Sequence, residues 1–210
     1  MNQAVDEVDN FRSELQQRLE INPEDINALI HLGVLEFEHF HKSELALSLL
    51  EKAVQMDPLN VDAKFWLGMS LLFDYFEYEQ AESLWKEALL IDPKRADCLS
   101  MIAWSITANK GSSHEAIKYA QQALSFAPHW PMIRCQLAEL FLKLGQIERA
   151  EEEVKKAIDI PAIDDKEIVD EVQRYYECVV TGRLKDEKIG YRYLLANIKE
   201  AKDKAKKEYS

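Results

Sequence analysis

Strong positive charge, long apolar runs and loop-forming residues are all scarce in this 210-residue chain. It has 26 Lys and Arg against 38 Asp and Glu, a formal net charge of −12. General affinity for nucleic acid or an anionic membrane needs a positive field, so neither is an expected partner. No uninterrupted apolar stretch approaches 18 residues, and none reads as a membrane span. The N-terminus, Met1-Asn2-Gln3-Ala4-Val5-Asp6-Glu7, lacks a basic region followed by an apolar one, so no secretory leader is expected. The three cysteines, Cys98, Cys135 and Cys178, are odd in number and form no CxxC pair, which points to reduced thiols and a cytoplasmic location. There are only six Gly and six Pro, too few for a loop-rich or low-complexity chain. A phosphate loop, dinucleotide fingerprint, nucleophile elbow and HExxH are all missing. His39 and His41 are the one close histidine pair, but two residues apart on a helix they diverge, and no carboxylate or thiol spacing completes a metal site. These features predict a non-enzyme without cofactor or metal.

The chain does contain a period. Pro23, Pro58, Pro93 and Pro128 stand 35 residues apart. Ala46, Ala81 and Ala116 keep the same interval, as do Ala53, Ala88 and Ala123. Gly33 and Gly68 keep it too, with Ala103 in the next register. A fixed period of this length marks stacked supersecondary units. Within each unit the apolar residues recur at helical spacing, and no alternating β-branched run reads as a strand.

In the first unit, Leu29, Leu32, Gly33 and Phe37 belong to a helix A. A turn near Lys42-Ser43 leads to a helix B with Leu45, Ala46, Leu49, Leu50, Ala53 and Val54. The small residues predict places where the two helices approach closely, and each proline is expected to stop a helix B. The third unit has a clear loop at Asn109-Lys110-Gly111-Ser112-Ser113, where Ser112 and Glu115 fit a capping box. The fourth has Leu137-Ala138, a turn at Leu144-Gly145-Gln146, then Ala150, Ala157 and Pro161. Upstream, residues 5–21 read as a lone helix with Phe11, Leu15 and Leu19 as its apolar stripe. Downstream, two more helices are expected, the last with a Lys-rich end. Residues 183–210 carry nine Lys and Arg against five Asp and Glu, a local +4.

These residues resemble the tetratricopeptide repeat family, whose pattern is a Leu-Gly/Ala pair in helix A, alanines seven apart in helix B, and a proline five residues later. Leu32-Gly33, Ala46, Ala53 and Pro58 fit, as do the equivalents in the next two units, and the fourth fits with its proline one residue early. The family period is 34 residues, one shorter than that of the first three units. Leu29, Lys64, Leu99 and Arg134 replace an early aromatic, and Glu36 stands where a bulky side chain is usual. The resemblance implies an all-α, right-handed α-α solenoid of antiparallel helix pairs. The expected organisation is a capping helix over 1–23, four repeats over 24–162 and a two-helix extension over 163–210. Pentatricopeptide repeats share the 35-residue length and bind RNA, but the charge and the Leu-Gly…Ala…Ala…Pro pattern argue against them.

The resemblance also implies that helix A lines a concave groove. The expected outward stripe is Ile30, His31, Val34 and Glu38 in the first repeat and Phe65, Trp66, Met69 and Phe73 in the second. In the third it is Ser100, Met101, Trp104 and Ala108, and in the fourth Cys135, Gln136, Glu139 and Lys143. Leu67, Leu71, Ile102 and Ile106 are expected to face inward instead. The site read from the sequence is therefore Ile30, His31, Val34, Phe65, Trp66, Met69, Phe73, Met101, Trp104, Gln136 and Glu139. Such an apolar, aromatic groove suits a protein or peptide segment with apolar anchors. The carboxylate clamp that many family members use against chaperone tails is not expected, because its places hold Ile30, Val34, Trp66, Asp97 and Met101. The expected role is an adaptor, assembly factor or chaperone, and the chain also resembles the chaperones of bacterial secretion translocators. The alternatives are a self-associating scaffold, with the groove filled by its own chain or in a homodimer, and a regulatory subunit of an enzyme.

Overall fold

A computed structural model describes residues 3–158. The expected helices beyond, together with Cys178 and Pro161, lie outside the described residues. Among the described residues there are nine helices: α1 Gln3–Ile21, α2 Ile26–Glu38, α3 Ser43–Met56, α4 Val61–Tyr75, α5 Tyr78–Ile91, α6 Ala96–Ala108, α7 Ser113–Phe126, α8 Pro131–Lys143 and α9 Ile147–Ile158. They fall into two compact units that divide inside α6, Met1–Cys98 and Leu99–Ser210.

The prolines do something more specific than stop helices. Helix B has already ended when each is reached, and the proline occupies the second position of a β-turn. The turn closes through Asp25 N–H to the Asn22 carbonyl at 3.1 Å, and through Asn60 N–H to the Asp57 carbonyl at 3.1 Å. Arg95 to Asp92 (3.4 Å) and Trp130 to Ala127 (3.2 Å) repeat it. Proline favours that position because its ring pre-sets φ. In three of the four turns the first residue's side chain adds a second bond: Asn22, Asp57 and Asp92 accept from the N–H of Glu24, Leu59 and Lys94. The residue that closes the turn then opens the next helix A. Asp25 and Asn60 accept from Ala28 N–H and Ala63 N–H, relieving donors that a helix start leaves unpaired. Ser112 caps α7 with half of the expected capping box, its hydroxyl accepting from Glu115 N–H at 3.4 Å.

The first unit is built on close contact between α2 and α3 and between α4 and α5, with α3 on α4, α2 on α4 and α1 on α2. Every alanine of the two periodic columns there, Ala46, Ala53, Ala81 and Ala88, has no exposed surface. The glycines show why. A β-carbon on Gly33 would lie 2.8 Å from Leu50 Cγ, and one on Gly68 would lie 2.5 Å from Trp85 Nε1 and 2.7 Å from its Cε2. The Trp85 indole lies against Gly68 and donates its N–H to the Phe65 carbonyl at 3.1 Å, wholly buried. α1 docks through Leu15, which clusters with Ala28, Leu32 and Leu35, as its stripe predicts. Phe11, expected in that stripe, is instead exposed and tilted 6.3 Å from the His31 ring. In the second unit α8 packs on α7 and α9, and Ala116, Ala120, Ala123 and Ala150 are again fully buried.

The charged departures from the family pattern are each ion-paired. Buried Lys64 reaches Glu87 at 2.6 Å, Arg134 reaches Glu153 at 3.0 Å, and Glu36, without exposed surface, receives Arg12 at 2.6 Å. A charge removed from water needs such a partner. Arg12 also stacks 4.2 Å over the Phe40 ring, so its guanidinium ties α1 to the first helix pair.

Gly68→Leu should destabilise the fold by roughly 1–3 kcal/mol or more, the usual cost of overpacking. Urea unfolding measures it. A Gly68→Leu variant with the wild-type midpoint would mean that Trp85 does not lie on Gly68 in solution.

Candidate functional site

The solvent-facing track of each helix A can be read from burial. On α2 it is Asn27, His31, Val34 and Glu38, spaced i, i+4, i+7, i+11. The same columns on α4 hold Asp62, Trp66, Met69 and Phe73. On α6 they hold Asp97, Met101, Trp104 and Ala108, and on α8 Met132, Gln136, Glu139 and Lys143. All of these are exposed or half-buried except Met69 and Met101, which have no exposed surface.

The structure thus departs from the expected stripe in two ways. Ile30, Phe65 and Ser100 are buried, and Ile30 and Ser100 face a neighbouring helix A. Ile30 shares a cluster with Ala63, and Val34 and Trp66 pack against its edge. Ser100 and Gln136 exchange two hydrogen bonds, hydroxyl to Oε1 at 3.1 Å and Nε2 to the Ser100 carbonyl at 3.0 Å. The second departure is that Phe65, Met69 and Met101 belong to the core rather than to an outer face. Helix α4 is bordered by α2, α3 and α5, so its buried arc is far wider than one stripe. Leu71, expected inward, is half-buried, whereas Leu67, Ile102 and Ile106 are buried as expected.

In the first unit His31, Val34, Trp66 and Phe73 keep access to solvent. Trp66 meets Phe65 edge to face, with ring centroids 5.3 Å apart. Beside them Arg95, in the position that Asp25 and Asn60 use as caps, bonds Asp97 and Asp62 at 2.6 Å each. Its guanidinium carbon is 5.7 Å from the Phe65 ring centroid. In the second unit Trp104 is half-buried, and Gln136 is occupied with Ser100. Glu139 stays open to solvent on one side, yet it is hemmed in enough that desolvation, opposed by Lys143, raises its carboxyl pKa.

Neither Cys98 nor Cys135 is joined in a disulfide among the described residues. Burial, with the charge of Asp97 next, pushes the Cys98 thiol well above its ordinary pKa, which suppresses the reactive thiolate. Among the described residues no three of His, Cys, Asp and Glu come together as metal ligands, and no helix is long and apolar enough to cross a membrane.

One feature was not picked out from the sequence. At the end of α4, Asp74 receives hydrogen bonds from Ser43 and Ser70, with His41 nearby, and the adjoining Tyr75 and Phe76 are exposed. The run Phe73-Asp74-Tyr75-Phe76-Glu77-Tyr78-Glu79 was its signal.

The comparisons with known proteins agree with this architecture. Residues 133–164, which span α8 and α9, match the family model for the tetratricopeptide repeat. The structure is similar to that of MamA, with TM-score 0.63 and 18% identity over 75% of this chain and 91% of that one. It is also similar to a thermophilic TPR protein of Thermus thermophilus, with TM-score 0.66 and 23% identity over 84% and 93%. MamA 41-end from Desulfovibrio magneticus RS-1 gives TM-score 0.63 and 15% identity over 76% and 88%. No curated protein sequence matches the chain significantly. The class is an all-α helical repeat solenoid. Within it, residues 133–164 carry a tetratricopeptide repeat.

Desolvation raises the Asp74 carboxyl pKa above its ordinary value, against the two serine bonds and His41. The folded state therefore holds that proton more tightly than the unfolded one, and ionising Asp74 costs stability as pH rises through its folded pKa. Asp74→Asn should melt higher than wild type at pH 7, and the gain should shrink as pH falls towards the ordinary carboxylate range. Melting curves across that range check it. A lower Tm for Asp74→Asn at pH 7 would contradict the assignment.

Proposed function

We propose that this protein is a non-catalytic interaction module that holds a protein or peptide segment along its helix-A tracks, as an adaptor, assembly factor or chaperone. The observation that carries the reading is where its largest side chains stand. Trp66 and Phe73 in the first unit and Trp104 in the second keep access to solvent on columns whose other members are the accessible His31, Val34, Glu38, Ala108, Gln136, Glu139 and Lys143 and the buried Met69 and Met101. A half-buried tryptophan is rigid, and covering it with a partner releases apolar surface from water at low conformational cost. His31, Val34 and Glu139 border these anchors on the same columns, with Gln136 braced against Ser100 beside them. Ile30 and Phe65, both buried, pack against Trp66, and Met69 and Met101 lie in the core. The negative charge fits a protein partner, not nucleic acid or a membrane surface, in a reducing compartment such as the cytoplasm. Helix pairs over 24–162 form the binding array on this reading, with α1 as its N-terminal cap.

The test compares track with core. Trp66→Ala and Trp104→Ala should each weaken capture of native partners at least about tenfold, as loss of a central aromatic anchor does, with little change in Tm. Leu67→Ala and Ile102→Ala should instead lower stability by roughly 2–5 kcal/mol. Quantitative pull-downs, urea unfolding and light scattering on the four variants separate the cases. Tryptophan variants that unfold like the core pair would make the aromatics packing. Variants that stay folded but change mass would mean that the tracks are filled by self-association.

A further inference from the structure

The turn between α4 and α5 presents two aromatic side chains to solvent: Phe76 is 68% exposed and Tyr75 36%. Phe76 ends α4 in the left-handed region, with φ 58° and ψ 28°. The turns after α2, α6 and α8 also place a residue in that region, His41 with φ 50°, Lys110 with φ 57° and Gly145 with φ 69°, and a side chain as bulky as phenylalanine is rarely found there. Neither helix-forming tendency nor burial accounts for a phenylalanine at this position.

The surroundings of the pair are acidic. Asp74, Glu44 and Glu51 lie near enough to the Tyr75 phenol for their charges to act on it, and Glu77 follows Phe76 in the chain. His41, in the adjoining α2–α3 turn, lies near enough to Asp74 for its charge to act on it. From Phe73 to Glu82 every residue except Gln80 and Ala81 is aromatic or acidic, and the next base is Lys86. The imbalance extends across the unit. Residues 1–98 hold 20 Asp and Glu against 8 Lys and Arg, which is the whole formal net charge of the chain.

We propose that this aromatic edge is a docking site for a lysine- or arginine-bearing segment of a partner protein. The cationic heads lie over the Phe76 and Tyr75 faces and pair with Glu44, Glu51, Asp74 and Glu77. An aromatic face attracts a cation through its quadrupole, and surrounding carboxylates strengthen the attraction. A purely apolar partner would have to desolvate those carboxylates, and a second copy of this acidic unit would meet its own charge. The edge lies at a turn and not on a helix-A track, so it stands whether or not the tracks bind a segment.

The test is an NMR titration of the isotope-labelled full chain with hexa-arginine amide at low and high salt, with hexa-glutamate as control. Chemical-shift changes should centre on residues 41–51 and 73–79, weaken with salt and be absent with hexa-glutamate. Phe76→Gly should weaken the affinity by about threefold or more, in the range of an exposed cation–π contact, while raising Tm because the left-handed residue becomes glycine. Glu44→Gln with Glu51→Gln should weaken it further. Shift changes spread evenly over the acidic unit, or a Phe76→Gly variant that binds as wild type, would reduce the effect to counterion association and overturn the proposal. A lower Tm for Phe76→Gly would make the phenylalanine a packing residue and overturn it too. Changes in the same residues on simple dilution, without peptide, would assign the edge to a second copy and overturn it as well.

Discussion

Between α4 and α5 there is no room for a β-carbon. The Trp85 indole lies against the backbone at Gly68 and spends its one polar hydrogen on the Phe65 carbonyl. Gly33 meets Leu50 in the equivalent place one repeat earlier, and the fully buried alanines of helix B hold the same separation. This close approach is the constraint on which the other features depend. It lets a short helix pair bury enough surface to be stable against its neighbours, and it sets which columns of helix A are left for solvent. Helix A is consequently bordered on several sides and keeps only a narrow outer track.

The connections repeat as regularly as the contacts. Each helix B hands over to the next helix A through a β-turn with proline second, usually with an Asn or Asp first. Where a polar cap would close the turn, the third repeat has Arg95, which bonds Asp62 and Asp97. That substitution converts a local capping position into an ion-pair hub beside Phe65 and Trp66. The aromatic position early in helix A is filled in the second and fourth repeats by a cation paired to helix B, Lys64 with Glu87 and Arg134 with Glu153. In both cases charge pairing replaces an apolar contact without disturbing the helix pair.

The periodic Gly, Ala and Pro columns made the helix pairs legible in the sequence, because those residue types answer to backbone approach and turn geometry, which are local. The columns of the outer track were mostly legible too: His31, Val34, Trp66, Phe73 and Trp104 retain solvent access. What a single helical wheel could not show is the width of the buried arc. Phe65, Met69 and Met101 were indistinguishable by type from surface anchors, and only the presence of neighbouring helices on more than one side puts them in the core. The ion pairs of Arg12 with Glu36 and of Arg134 with Glu153 were likewise hidden, since their partners are 24 and 19 residues apart. The left-handed Phe76 could not be read at all, because residue type argues against that conformation.

The most direct test of the central claim is a double-mutant cycle between Gly68 and Trp85, measured by urea unfolding. If the two meet as described, Gly68→Ala should be costly in the wild-type background and nearly free beside Trp85→Leu, where the indole no longer occupies the space. The coupling between the two sites should then be about 1 kcal/mol or more, as for residues in direct contact. Additive effects, with Gly68→Ala costing the same in both backgrounds, would contradict the close approach from which the helix pairs and their outer tracks follow.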